Sequence, residues 1–155
     1  MTALPTPTTT PATTLSQPAN AYLRTRVMTA SREELRLMLL EGAIKFARQG
    51  REGVATAQHE QAFTGLSQSR EIILELMTTI RPEPNAELAV NVRSLYAFLY
   101  QSLVEGSFEK NVEKIDKVIG LLEFERETWV MVMQKLAEER GAHPAEAAQG
   151  VSIAG

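Results

Sequence analysis

The sequence predicts an all-α protein: an antiparallel up-down four-helix bundle with a short N-terminal covering segment and flexible tails. Three observations predict it. Apolar residues recur at spacings of three and four through four long stretches. Short breaks carrying Gly, Pro or Asn separate those stretches. No segment of convincing length alternates with the period of two that a half-buried strand needs. Long helices joined by short connections favour neighbours that run in opposite directions.

The first helix opens at Ser31. Ser31-Arg32-Glu33-Glu34 is a capping box, in which the hydroxyl accepts from the third helical amide while Glu34 reaches back. Glu33 and Glu34 also sit at the positive end of the helix dipole. Glu41 precedes Lys45 by four residues, the favourable order for a helical ion pair. Gly50 and Gly53 predict where this helix fades.

A second helix is expected from Gln58 to Ile80, with Ala62, Leu66, Ser69, Ile73 and Leu76 on one stripe. Pro82 and Pro84 stop it, and Asn85 is the predicted N-cap of a third helix along Leu88, Val92, Leu95, Leu99 and Leu103. The stretch EGSFE reads as the next break. A fourth helix, from Glu109 to Glu139, places Val112, Ile115, Ile119, Leu122, Trp129, Met133 and Leu136 at heptad-like positions. Residues 1–19 read as a disordered Thr/Pro-rich tail, 20–140 as the bundle and 141–155 as a flexible C-terminal tail.

The first helix is more apolar than one core requires. At about 100° per residue, Leu35, Leu39, Gly42 and Phe46 share one side. Leu37, Leu40, Ile44 and Ala47 lie roughly 140 to 180° away, with Arg36 between the two groups. Either the helix is central and covered by two neighbours, or its second face forms a groove for another chain's apolar helix. Tyr22, Leu23, Val27 and Met28 belong to no predicted helix and are the natural cover for such a groove.

Composition narrows the function. In 155 residues, 44% are hydrophobic, enough for one core. The net charge of −3 and scattered Lys and Arg argue against nucleic-acid binding, which needs clustered cations. Without cysteine there is no disulfide or thiolate zinc site, and a reducing compartment fits. No stretch is long and apolar enough to span a membrane, and the N-terminus lacks the basic and apolar regions of a signal peptide.

Catalysis is poorly provided for. The chain has two histidines, His59 and His143, and a single aspartate, Asp116. Thr56 and Arg140 stand three residues before the histidines, so the Glu-x-x-His pairs of a di-iron bundle are absent. A Ser-His-Asp arrangement would have to recruit a helix-end or tail histidine, and no phosphate-loop frame occurs. The reading is therefore no enzyme, no cofactor and no metal.

The stretch NAYLRTRVMTASREELRLMLLEGAIKFARQ resembles the opening of the FliS family, the flagellar export chaperones that bind flagellin. The matching residues are Tyr22, Val27, Thr29-Ala30-Ser31, Leu35 to Leu39, and Gly42-Ala43-Ile44-Lys45-Phe46. Leu95-Tyr96, Ile119-Gly120-Leu121-Leu122, Arg126 and Trp129 follow in the family's order. The chain departs from the family at Arg32, where proline is usual, and in the long tail before Tyr22.

The resemblance implies a cytoplasmic, monomeric or weakly dimeric bundle that holds the C-terminal segment of flagellin, prevents premature polymerisation and assists delivery to the export apparatus. Export-gate or regulatory proteins are further expected partners. The second apolar face of the first helix makes Tyr22 and Val27 the expected cover, with Leu37, Leu40, Ile44 and Tyr96 lining the groove and Arg36 touching polar groups of the partner. The alternative is a structural or assembly bundle that homodimerises through the extra apolar face.

Overall fold

The computed structural model describes residues 17–154, with side chains over 20–141. Among the described residues there are five helices and no strand: α1 (Gln17–Thr29), α2 (Arg32–Ala55), α3 (His59–Thr78), α4 (Ala86–Glu109) and α5 (Val112–Ala154). The tail over 1–16 lies outside the described residues. The chain divides into two compact units, one ending at Leu35 and the other starting at Arg36.

In the first unit, Tyr22 to Met28 are helical, where sequence periodicity assigned them to no helix. Pro18 stands in the first turn of α1, where a missing N–H costs no helical hydrogen bond. Thr25 and Thr29 turn their hydroxyls onto the carbonyls of Ala21 and Thr25, both at 2.9 Å. The capping box forms as read: the Ser31 amide donates to Glu34 Oε2 at 3.1 Å, and the Glu34 amide to Ser31 Oγ at 3.2 Å.

In the second unit, α2 to α5 share one core. Leu40, Ala43, Ile44 and Ala47 come from α2, and Leu66, Ile73 and Leu76 from α3. Tyr96, Leu99 and Leu103 of α4 join Ile115, Val118, Ile119 and Leu122 of α5. The Asn85 side chain caps α4 by accepting from the Leu88 amide at 3.0 Å, as its position predicts. Asn111 does the same for α5, accepting from the Lys114 amide at 3.1 Å.

Two expected breaks are not breaks. Helix α2 runs through Gly50 and Gly53 to Ala55, and α4 runs through EGSFE to Glu109. The glycines there serve close packing between helices. A Cβ on Gly50 would lie 2.6 Å from Leu66 Cγ, and one on Gly65 would lie 2.7 Å from the Gly50 Cα. One on Gly53 would strike the Ala62 backbone, and one on Gly106 would lie 2.8 Å from Ile115 Cγ1. Both helices end instead on left-handed residues that are not glycine, Ala57 (φ 55°) and Lys110 (φ 52°). Each closes a Schellman pair. Gln58 donates to the Gly53 carbonyl at 2.8 Å, and Asn111 to the Gly106 carbonyl at 2.9 Å.

Candidate functional site

The two apolar faces of α2 exist, but from Arg36 onward the chain's own helices cover both. Gly42 packs toward Ile72 of α3, and Ser69 of α3 donates from its hydroxyl to the Ala43 carbonyl at 2.8 Å. On the other face Leu40 and Ala47 are fully buried and Ile44 is 5% exposed. Leu37 is half-buried. The expected groove lining of Leu40, Ile44 and Tyr96 is thus core among the described residues. Of the expected cover residues, Tyr22 and Val27 are exposed side chains of α1.

Arg36 has a role inside the unit. Its Nη2 donates to the Tyr96 hydroxyl at 2.7 Å and its Nη1 to Thr79 Oγ1 at 3.0 Å. The guanidinium also lies 5.0 Å from the centre of the Trp129 ring. One planar cation therefore touches α3's C-cap, α4 and α5. Tyr96 is fully buried, and its hydroxyl donates onward to Glu125 Oε2 at 3.4 Å. Burial pushes the Tyr96 phenol up to about 12, against the nearby Arg36 charge, which pulls it down. Arg36 and Tyr96, both expected to contact a partner, here bond to each other within the unit.

Apolar side chains are left uncovered on several helices, Leu88, Val90 and Phe108 of α4 among them, and on α5 they form a stripe. On α5, Leu121, Phe124, Met131 and Val132 are exposed, with Phe124 at 64% and Met131 at 63%. The spacing from 121 to 124, 128 and 131 is three, four and three, so these residues with Thr128 form one stripe. Over 121–132 it is about 17 Å long at 1.5 Å per residue. At its N-terminal end it meets an open groove between α4 and α5 of about 690 Å³, lined by Phe98, Ser102, Val118, Gly120 and Leu121 among others. Phe98 is a further exposed aromatic.

Charges border this groove. Lys114 Nζ lies 3.0 Å from Glu105 and 3.3 Å from Glu109. Its hydrogen bonds to these carboxylates hold the ammonium above its usual range, and Lys114 holds Glu105 below its own. Lys117 and Glu113 complete the charged rim. The stripe itself was readable in the sequence, as a second set of apolar residues at helical spacing. The heptad pattern that places the opposite face in the core hides it.

This surface is suited to holding an apolar helix. Among the described residues no group of His, Asp and Glu is placed to hold a metal ion. No helix among them is long and apolar enough to cross a membrane.

Comparison with known proteins places the chain among flagellar proteins. The family model described as flagellar protein FliS matches residues 15–136. The chain is 28% identical over 126 residues to the flagellar secretion chaperone FliS of Bacillus subtilis (strain 168), covering 81% of this chain and 93% of that protein. It is 27% identical over 110 residues to the flagellar secretion chaperone FliS of Campylobacter jejuni, covering 71% of this chain and 86% of that protein.

Proposed function

The chain belongs to the FliS family of flagellar proteins, and we propose from that premise that it is a cytoplasmic flagellar export chaperone whose client is flagellin. It binds flagellin's C-terminal segment, keeps the subunit from polymerising before export, and assists its delivery to the export apparatus. No bond is made or broken.

The observation that carries this reading is the uncovered stripe on α5 with Phe98 beside it. Fully burying a Leu, Phe or Met side chain contributes roughly 1.5–3 kcal/mol. These five side chains are already partly shielded, so about 1 kcal/mol each is a fair scale. The sum, roughly 5 kcal/mol, is comparable with the cost of ordering a disordered segment, roughly 2–5 kcal/mol or more. Tight binding therefore needs further contacts, and the groove beside the stripe offers them.

The finer architecture in this reading is an antiparallel up-down four-helix bundle of α2 to α5. Cross-helix pairs support it, because positions rise on one helix as they fall on the next. Gly42 pairs with Ile72 and Gly50 with Leu66; Arg48 pairs with Glu123 and Arg51 with Asp116; Tyr96 pairs with Glu125 and Glu105 with Lys114.

Co-expression with the source organism's flagellin, full-length and lacking its C-terminal segment, tests the proposal. The full-length subunit is retained and the truncated one is not. Phe124→Asp loses the client while keeping its helical circular dichroism. Retention of both flagellins overturns the proposed segment. A dimer in sedimentation that flagellin does not disturb would assign the stripe to a second copy instead.

A further inference from the structure

Gly120 stands out among the helical glycines. Gly50, Gly53, Gly65 and Gly106 are each closed in by neighbours that a Cβ would strike, and Gly42 is tight against Ile72. A Cβ on Gly120 would meet nothing within 4 Å, and no glycine in the described residues has a positive φ. Mid-helix glycine is the least favourable residue after proline, by about 1 kcal/mol relative to Ala. Nothing among the described residues requires it at this position. Yet Gly120 lines the α4/α5 groove and sits at the head of the α5 stripe, next to Leu121.

We infer that Gly120 is a notch through which a helix of the client crosses α5 at backbone distance, and so sets which client helices fit. The inference rests on the proposed function, because the occupant is the flagellin C-terminal segment. Two features define that occupant. The notch is continuous with the apolar stripe, so the docking helix lays its apolar side along Leu121, Phe124 and Met131. Lys114 is already held by Glu105 and Glu109, whereas Lys117, one turn before Gly120, forms no ion pair among the described residues. The helix that fits therefore carries an acidic side chain beside its apolar face, in reach of Lys117.

The notch makes stability and binding move in opposite directions. Calorimetric titration with flagellin, together with thermal melts, compares the full chain with Gly120→Ala, Gly120→Leu and Gly141→Ala. Gly141 is the control, an α5 glycine that also has nothing within 4 Å of its Cβ and lies outside the groove. Gly120→Ala is expected to melt about 2–4 °C higher, and Gly141→Ala, in the part of α5 beyond the core, to melt with the parent. Gly120→Ala weakens flagellin binding about tenfold and Gly120→Leu about a hundredfold, while Gly141→Ala leaves it unchanged.

Binding by Gly120→Leu within about twofold of the parent overturns the notch and leaves the proposed function standing. A parent protein that does not bind flagellin overturns both.

Discussion

Helices α2 and α5 both carry more apolar surface than a single core-facing stripe supplies, and the fold treats the two surpluses in opposite ways. Along α2 the second face is taken up by neighbours of the same chain: Leu40 and Ala47 are fully buried, and Gly42 packs toward Ile72. Along α5 the core side is filled by Ile115, Val118, Ile119 and Leu122, and the stripe from Leu121 to Val132 is left in water. Apolar count alone does not distinguish these cases. Position in the packing order does, because a helix flanked on two sides consumes both faces.

Substitutions sharpen the contrast. The largest effect is expected from Ile44→Asp, which puts an unpaired carboxylate into the core of α2. It should unfold the protein, since such burial costs several kcal/mol against a total stability of about 5–15 kcal/mol. Circular dichroism reads the outcome, and a folded Ile44→Asp protein would return the α2 face to the surface. The matched change Phe124→Asp on α5 should change the unfolding free energy measured in urea by no more than about 0.5 kcal/mol.

Next in size is Leu40→Ala, expected to cost about 3 kcal/mol in urea unfolding, with Met131→Ala within about 0.5 kcal/mol. Equal costs at the two sites would erase the distinction between the helices. Arg36→Ala follows at about 2 kcal/mol, since it removes a charged hydrogen bond to a buried phenol and a stacking contact on Trp129.

The same cluster has a pH signature. Folding raises the Tyr96 phenol from its ordinary 10.0 to about 12, so the folded state favours the neutral form. Its contribution is complete below pH 10 and is lost as pH rises toward 12. Alkaline urea titrations should show that decline, and Tyr96→Phe should flatten it. The smallest effect is a gain: Ala57→Gly relieves a left-handed alanine and should add about 0.5–1 kcal/mol.

Much of this was legible from residues alone. Ser31 with Glu34, and Asn85, cap the helices they appear to cap, because capping is decided within one turn. Helical class and the core stripe of α3 follow from spacing for the same local reason, whereas on α4 Leu99 and Leu103 are buried but Leu88 is exposed and Tyr96 stands in the core. Gly50, Gly53 and Gly106 misled, because a glycine that ends a helix and one that admits a neighbour look identical until the neighbour is placed. The surplus on α2 was visible, but what covers it depends on contacts from α3, α4 and α5. Burial of Tyr96 was hidden by its hydroxyl, which Arg36 and Glu125 satisfy from distant positions. The α5 stripe was passed over because the heptad reading had already given that helix a purpose.

The seam of Gly50, Gly53 and Gly65 has a consequence for how the molecule opens. Side chains that interdigitate can rotate aside one at a time and let water reach a backbone amide. Here little can rotate aside, since apart from the Leu66 side chain against Gly50 it is backbone that faces backbone between α2 and α3. Solvent gains access only when the two helices part as whole bodies. Amides along this seam should therefore exchange their hydrogens last, in step with one another, while those of α5 beyond the core exchange through local fraying.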